Sequence, residues 1–301
     1  MHVKFWGVRG SIPTPGPETV RYGGNTSCIE VRLANGQFLI IDAGSGLREF
    51  GRWLIANDQK KGPLKTNILL THTHWDHIHG YPFFGPAYIK GNEFTIHGPV
   101  SHAGNLEQIF SAQMDYTYYP INFRATGATV SFKELKEGTV HIGDAKVTTY
   151  YLHHPTLCLS YRIEADDRVV CTVFDHEPYT NIFSKDGNLD TEEAQEAQEA
   201  VDMANEKIRS HIRDADLVIC DAQYHGKAEL DSHRGWGHSS VETALEMCLA
   251  ANAKRICFFH HDPTRNDAAL NALHISLRKQ MKEEGRKVLT FPAREGLVVP
   301  L

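Results

Sequence analysis

Four side chains that can bind a metal ion occur within six residues, in the run His72-Thr73-His74-Trp75-Asp76-His77. This run directly follows an apolar stretch, residues 67–71, which predicts a short strand that ends at the cluster. The first two histidines are two residues apart and, in a loop, can point at one ion. The aspartate and the last histidine turn the other way and can reach a second ion. Imidazole suits zinc and carboxylate suits zinc, manganese or iron, so the spacing indicates a metal site rather than a polar surface loop.

The elements that would position this cluster follow from apolar runs and their periodicity. Such runs predict strands at 28–33, 37–42, 67–71, 93–98, 146–152, 158–164, 168–174, 217–220 and 256–259. Helical spacing predicts helices at about 46–57, 103–114, 192–212, 240–251 and 267–284. Asn35-Gly36 between the first two strands is a strong hairpin signal. Ser239-Ser240-Val241-Glu242 matches a capping box before the fourth helix, and Gly285 is placed to end the last one.

The order of these elements predicts the organisation of the chain. Strands come in two groups, each followed by a stretch that bears helices, and no linker rich in Pro, Gly or Ser separates them. We therefore expect one layered α/β domain over residues 1–301, built of two similar halves that meet near residue 140. Residues 82–130 mix Pro, Gly and aromatic residues, and we interpret them as an insertion that borders the site.

The composition is that of an ordinary folded enzyme, apart from its 18 histidines. With 31 basic and 37 acidic side chains the formal net charge is −6, which argues against a general nucleic-acid binder. No apolar stretch approaches the roughly 20 residues of a membrane helix, and residues 1–7 lack the pattern of a signal peptide. Six scattered cysteines without a CxxC pair indicate free thiols, and we expect a cytoplasmic protein.

The run at 72–77 resembles the HxHxDH motif of the metallo-β-lactamase superfamily of binuclear metallohydrolases. The resemblance covers nearly the whole chain, because later family motifs occur in order and at strand ends. It implies a four-layer αββα sandwich of two pseudo-symmetric halves. It also implies that Asp42 supports the histidine loop and that the remaining metal ligands are His154, Asp175 and His260.

In that family the ligands hold two divalent ions, which we expect here to be zinc, with manganese or iron as alternatives. The resemblance implies three ligands for one ion, three for the other and one bridging carboxylate: His72, His74 and His154; Asp76, His77 and His260; and Asp175. A hydroxide that bridges the ions would be the nucleophile, and Asp76 can accept a proton from water as a general base.

Two of these assignments have alternatives. His153 competes with His154, although the spacing to Tyr161-Arg162 favours His154. His261 competes with His260, which lies at the predicted strand end.

The later motifs resemble those of ribonuclease Z-like phosphodiesterases. Asp221 follows the apolar run 217–220, and His238 precedes the predicted helix at 240–251. By this resemblance Asp221 orients His238, and His238 stabilises charge at the scissile phosphate or protonates the leaving oxygen. A helix N-terminus also favours an anion such as phosphate. The alternative is that His238 is a packing residue and Asp221 a turn residue.

Four further polar residues have open roles. The opening motifs around Arg9 and Asn25 resemble the branch that contains phosphoribosyl cyclic phosphodiesterases. Arg9 or Asn25 would contact the substrate phosphate there, unless both belong to a loop packed beneath the metal loop. His176 and Glu177 either orient metal ligands through hydrogen bonds or are polar groups without a role in the site.

Ribonuclease Z enzymes carry a basic arm that grips tRNA, and this sequence has no comparable arm. Residues 85–130 hold Lys90 and Arg124 as their lysine and arginine residues, among several aromatic ones: Tyr116, Tyr118, Tyr119 and Phe123. Together with the acidic net charge, this predicts a small phosphodiester as substrate and no extended nucleic acid. The aromatic residues would stack a nucleobase or close over a small substrate, or else belong to the core or a dimer surface.

We therefore expect a metal-dependent phosphodiesterase that hydrolyses a small phosphodiester, such as a cyclic nucleotide or a cyclic phosphate. The alternatives are a thioesterase or lactonase with the same ions, or a nuclease that processes RNA ends. A β-lactamase is disfavoured, because Asp175 stands where the common forms have a zinc-binding cysteine. The resemblance also implies a homodimer.

Overall fold

The computed structural model describes residues 1–184 and 188–301. The strands of this part are β1 (His2–Gly7), β2 (Cys28–Arg32), β3 (Phe38–Ile41), β4 (Lys65–Leu69), β5 (Glu93–Pro99), β6 (Thr129–Leu135), β7 (Gly138–Ile142), β8 (Ala145–Leu152), β9 (Cys158–Ala165), β10 (Arg168–Val173), β11 (Leu217–Asp221), β12 (Arg255–Phe259), β13 (Leu289–Pro292) and β14 (Val298–Pro300). Its α-helices are α1 (Gly46–Ala56), α2 (Trp75–Ile78), α3 (Leu106–Ala112), α4 (Glu192–His211), α5 (Gly226–Ser232), α6 (Val241–Ala250) and α7 (Asp267–Glu283).

These strands form two seven-stranded sheets of similar topology. The first has the order β14-β1-β2-β3-β4-β5-β6, and the second has the order β13-β12-β11-β10-β9-β8-β7. Strands β3 to β6 run parallel to one another, and so do strands β10 to β13. The carboxyl ends of parallel strands lie at one edge of a sheet, so the loops that leave them can meet.

The core lies in three layers that follow from the alternation of side chains along each strand. Leu39 and Ile41 of β3 point toward the second sheet, as Leu217 and Ile219 of β11 point toward the first. The residues between them face outward and are covered by helices, α1 and α3 on the first sheet and α4, α6 and α7 on the second. The predicted four-layer αββα architecture is therefore confirmed.

The predicted helices at 46–57, 192–212 and 267–284 are each observed to within one residue. The helix predicted at 103–114 is shorter and begins after Asn105, whose side chain accepts a hydrogen bond from the backbone N–H of Gln108. The segment 82–130 is built into the first sheet, because β5 pairs in parallel with β4. No helix in the described part of the chain is both long and apolar enough to span a membrane.

The capping box of α6 lies one residue later than predicted. Ser240, not Ser239, is the N-cap, and it exchanges hydrogen bonds with Thr243 instead of Glu242. Ser239 uses its hydroxyl to donate to the carbonyl oxygen of His176. The sequence has two adjacent serines here, and the local pattern cannot tell which one caps the helix.

Replacing Ser240 by alanine is expected to lower the free energy of unfolding by about 1 kcal/mol, because the N–H of Thr243 loses its partner at the helix N-terminus. Urea denaturation followed by circular dichroism measures the change. A variant as stable as the wild type would contradict the observed cap.

Candidate metal centre

The side chains expected to bind metal, and Asp42 that is expected to support them, lie just after the ends of five strands. Asp42 follows β3, the 72–77 loop follows β4, His154 follows β8, Asp175 follows β10 and His260 follows β12. The two sheets bring these strand ends to one edge of the sandwich. Residues from position 42 to position 260 thereby converge on one cluster.

One group of donor atoms is formed by His72, His74, His154 and Asp175, all within 4.8 Å of one another. We call this group position A. His154 Nε2 lies 3.1 Å from His74 Nδ1, and His72 Nε2 lies 3.4 Å from an oxygen of Asp175. Three imidazoles and one carboxylate oxygen thus face a common point.

A second group is formed by Asp76, His77 and His260, again within 4.8 Å of one another, and we call it position B. The Nε2 atoms of His77 and His260 lie 3.2 and 3.1 Å from Oδ2 of Asp76. Asp175 lies between the two positions, since Oδ2 is 3.4 Å from His77 Nε2 and Oδ1 is 3.4 Å from His260 Nε2. The geometry therefore allows Asp175 to bridge two ions.

The hydrogen-bonding state of these atoms fits a metal site. His72 Nε2, His77 Nε2 and Asp175 Oδ1 are buried and have no hydrogen-bond partner. Buried polar atoms are nearly always paired, because an unpaired one costs about 1–3 kcal/mol. Divalent cations at positions A and B would together satisfy all three atoms. The donor set of imidazole and carboxylate suits zinc, manganese or iron.

Charge compensation within the cluster shifts several pKa values. Burial alone would raise the pKa of Asp175, but the imidazoles of His260, His77 and His72 hold it well below its usual value. Burial would likewise lower the pKa of His77, but the carboxylates of Asp76, Asp175 and Asp42 raise it well above the usual value. Asp175 is therefore ionised at neutral pH, as a metal ligand must be.

Three of the ligating histidines have their other ring nitrogen held by a different kind of group in each case. His77 Nδ1 lies 2.7 Å from the buried carboxylate of Asp42, which also accepts from the backbone N–H of Thr71. His154 Nδ1 lies 3.0 Å from the carbonyl oxygen of Gly237, and His260 Nδ1 lies 2.9 Å from Oε1 of Gln223. These contacts fix the ring orientation and leave Nε2 directed at the cluster.

Glu177 holds the loop that supplies one of these partners. Its carboxylate accepts hydrogen bonds from the backbone N–H groups of Gly235 and Gly237, at 2.8 and 3.0 Å. The carbonyl oxygen of Gly237 is the partner of His154. Of the two interpretations of Glu177, the geometry favours the one in which it orients a ligand, here through the glycine loop.

Replacing Asp42 by asparagine is expected to weaken divalent-metal affinity by about 10–100-fold, because His77 loses an anionic partner. Asparagine also tolerates the backbone conformation of this position. Competition with a chromophoric chelator measures the affinity. Asp144→Asn, at an exposed turn, is the control, and equal affinities of the two variants would contradict a role of Asp42 at His77.

Three residues of the site have left-handed backbone. Asp42, Asp175 and His260 have φ angles of 60°, 47° and 58°, and each follows a strand by one or two residues. Non-glycine residues adopt this region uncommonly, and Asp, Asn and His do so more readily than others. Such conformations cost about 1–3 kcal/mol and concentrate at functional sites. The sharp turn directs each side chain back into the cluster as the chain leaves the sheet.

Asp221 and His238, which the sequence predicts as a pair, lie side by side next to the cluster. His238 Nδ1 is 2.8 Å from Oδ2 of Asp221. A donor atom of each residue lies within 4.8 Å of donors of Asp175 and His260. Burial alone would lower the pKa of His238, but the Asp221 carboxylate outweighs it and raises this pKa to about 9. The contact with Asp221 thus favours the protonated imidazole at neutral pH.

The two alternative histidines lie outside the cluster. His153 Nδ1 is 2.9 Å from the carbonyl oxygen of Glu177, and its ring stacks on Tyr179. His261 is buried, with Nε2 2.8 Å from the carbonyl oxygen of Ala293. The geometry therefore brings His154 and His260, rather than their neighbours, to the cluster.

The two residues considered for phosphate contact are engaged elsewhere. Arg9 is fully buried and donates to the carbonyl oxygens of Gly23, Asp262 and Arg265. Asn25 donates to Glu295 and accepts from the hydroxyl of Ser45. Both hold loops together beneath the cluster. This agrees with the interpretation that they belong to a loop packed beneath the metal loop.

Sequence reasoning missed several contacts of the site. Gln223 orients His260 and comes only two residues after Asp221, so its position just past a strand end was the available signal. The backbone N–H of Ser11 donates to Oδ2 of Asp76 at 2.8 Å. A backbone donor leaves no mark on the sequence.

Comparison with known proteins agrees with this arrangement. Residues 38–181 match the family described as the β-lactamase superfamily domain. The ribonuclease Z of Staphylococcus carnosus strain TM300 is 23% identical over 313 residues, covering 93% of this chain and 94% of that protein. The metallo-β-lactamase fold protein YhfI of Bacillus subtilis superposes with a TM-score of 0.63 at 17% identity, covering 99% and 97% of the two chains. A diphosphatase of the PhnP family gives a TM-score of 0.63 at 16% identity, covering 100% and 97%.

The matched region contains Asp42, the 72–77 loop, His154 and Asp175, and the structural matches extend the likeness to both sheets. Residues 38–181 therefore match a β-lactamase superfamily domain, and the chain has the metallo-β-lactamase fold.

Proposed function

We propose that the protein is a phosphodiesterase that hydrolyses a small phosphodiester with the help of two divalent metal ions, zinc being the first candidate. The observation that carries the proposal is the Asp221–His238 pair beside Asp175 and His260. The metal ligands alone are compatible with several hydrolytic reactions. A protonated imidazole at the edge of the cluster adds what a phosphodiester requires, a cation and proton donor for the leaving oxygen.

The ligands of positions A and B would hold one ion each, with Asp175 between them. A pair of divalent ions, when bound, lowers the pKa of water toward neutrality and polarises the phosphoryl oxygens. Asp76 is placed to accept the proton of the attacking water, and the N–H of Ser11 keeps its Oδ2 oriented. His238 donates its proton to the leaving oxygen, and Asp221 keeps its ring in place through Nδ1.

The shape of the cleft supports a small substrate. The cleft beside the cluster has a volume of about 440 Å³ and is lined by Ser11, Thr73, His74, Trp75, Asp76, Asp175, His238 and His260. This volume lies within the range of small-molecule sites, about 300–1,000 Å³. A diphosphatase among the structural relatives supports phosphorus as the centre of attack.

The test is a substrate panel on the metal-loaded protein. It contains bis-p-nitrophenyl phosphate, cyclic mono- and dinucleotides, a base-free cyclic phosphate, a thioester, a lactone and a tRNA precursor. We expect turnover of the small diesters. Turnover confined to the thioester or the lactone would overturn the proposal.

A ribonuclease that processes RNA ends is the second candidate. The match to a ribonuclease Z along 93% of the chain favours it. The net charge of −6 opposes it, because RNA affinity rests largely on neutralised phosphates. Cleavage of the tRNA precursor, with binding that weakens steeply as salt rises, would decide for this candidate.

A further inference from the structure

One side chain in the cleft has no place in the proposed chemistry. Trp75 lies between two ligands of the cluster, His74 and Asp76, and is the first residue of α2. Its side chain is 82% exposed and forms part of the cleft wall. The two flanking ligands fix its backbone, so the indole is held at the cleft without being packed.

The other three tryptophans each contact another ring. Trp6 stacks on Phe50, Trp53 packs against Trp6, and Trp236 lies edge-on to His233. Within the described part of the chain, no aromatic ring or cationic side chain packs on Trp75. An exposed indole in the wall of a binding cleft offers a flat π-face on which the ring of a ligand can stack.

A neighbouring loop carries a second exposed apolar side chain. The Ser11–Asp76 hydrogen bond brings the 11–12 loop against the residue next to Trp75, and Ile12 in that loop is 58% exposed. None of the described residues that line the cleft is a lysine or an arginine. A second phosphate, away from the metal ligands and His238, would find no cation among these residues.

We propose that Trp75 stacks on the base of the substrate, which is a nucleoside cyclic monophosphate carrying a single negative charge. This inference rests on the proposed phosphodiesterase function. It adds the recognition of the base, which the metal ligands do not contact. Purine and pyrimidine rings have the flat π-face that an exposed indole binds. The single charge is neutralised at the metal ligands and His238, where the diester is cleaved.

The experiment compares a cyclic diester that carries a base with one that lacks both the base and the ribose ring. Adenosine 2′,3′-cyclic phosphate and glycerol 1,2-cyclic phosphate both have a five-membered cyclic diester with one charge, but only the first has a base. In the wild type we expect kcat/KM to be on the order of 10-fold higher for the nucleoside, since stacking on a base contributes about 1–3 kcal/mol. Trp75→Ala should remove most of this preference through KM, and Trp75→Phe should restore most of it.

Trp236→Ala is the matched control, because it removes another exposed indole that does not line the cleft. It should keep the preference for the nucleoside. If Trp236→Ala abolishes the preference and Trp75→Ala keeps it, Trp75 is not the stacking residue. A 5′-phosphate on the nucleoside substrate adds about 1.5 to 2 further negative charges and should lower kcat/KM. A preference for this more highly charged form would overturn the single-charge assignment.

The outcomes separate this inference from the function on which it rests. No turnover of either cyclic diester would overturn the proposed function. Turnover of both with a nucleoside preference that Trp75→Ala leaves unchanged would overturn the stacking alone. Sedimentation of the wild type as a dimer and of Trp75→Ala as a monomer would identify the indole as a subunit contact and overturn the stacking as well.

Discussion

Replacing Asp175 by asparagine is expected to reduce phosphodiester turnover by at least about 1,000-fold and to release metal from both positions. Asp175 has one oxygen 3.4 Å from His72 and His77 and the other 3.4 Å from His260. It is the residue that the two groups of donors share. Losing the charge that opposes two divalent ions removes several kcal/mol, and about 1.4 kcal/mol is a factor of ten in rate.

Asparagine is the informative replacement because it keeps the size of the side chain and tolerates φ of 47° at this position. Metal content by mass spectrometry and turnover of bis-p-nitrophenyl phosphate are measured on the same preparation. Asp144→Asn, which changes an exposed carboxylate in the same way, should match the wild type. A fully metallated Asp175→Asn protein with normal turnover would contradict the assignment of Asp175 as a bridging ligand.

The second large effect is expected at His238. His238→Ala should reduce turnover of bis-p-nitrophenyl phosphate by about 100- to 10,000-fold, the usual contribution of a proton donor, while the metal content stays near that of the wild type. The separation follows from position, because His238 is paired with Asp221 rather than with a residue of position A or B. Loss of metal together with activity would make His238 a ligand instead.

The pH dependence of turnover gives an independent reading of the same residue. Since Asp221 raises the pKa of His238 to about 9, the donor is protonated at neutral pH and loses its proton as the pH rises through that value. Divalent ions held nearby would repel the imidazolium and lower its pKa. We therefore expect the alkaline limb of the pH–rate profile, where turnover falls as the pH rises, to lie below pH 9. In Asp221→Asn the limb should move further down. An unshifted limb would show that another group titrates there.

Much of the fold could be predicted because its inner strands are buried on both faces. Such strands read as unbroken apolar runs, as Leu217–Cys220 in β11 does. Strand β6 has alternating exposed and half-buried residues at the edge of its sheet and carries Lys133 and Glu134, so no apolar run marks it. Strands β13 and β14 have four and three residues, which is too short for periodicity.

The candidate site likewise contains residues that could be predicted from the sequence and residues that could not. The 72–77 loop could be recognised because its four donors are neighbours in the chain and need no fold to bring them together. The spacing to Tyr161-Arg162 favours His154 over His153, and the predicted strand end favours His260 over His261. The cluster contains both. The partners that orient them are a backbone carbonyl at Gly237 and an amide at Gln223. Those contacts depend on tertiary structure, and neither residue type signals such a role.

The left-handed turns at Asp42, Asp175 and His260 have a consequence for laboratory evolution. Aspartate and histidine belong to the few residue types that accept this backbone. Metal binding and backbone conformation therefore limit the residue types at the same three positions. A library randomised at these three positions and selected for solubility alone should still be enriched in Gly, Asn, Asp and His. Variants that survive such a screen would already be biased toward metal-binding side chains, which makes a lost site unusually easy to regain.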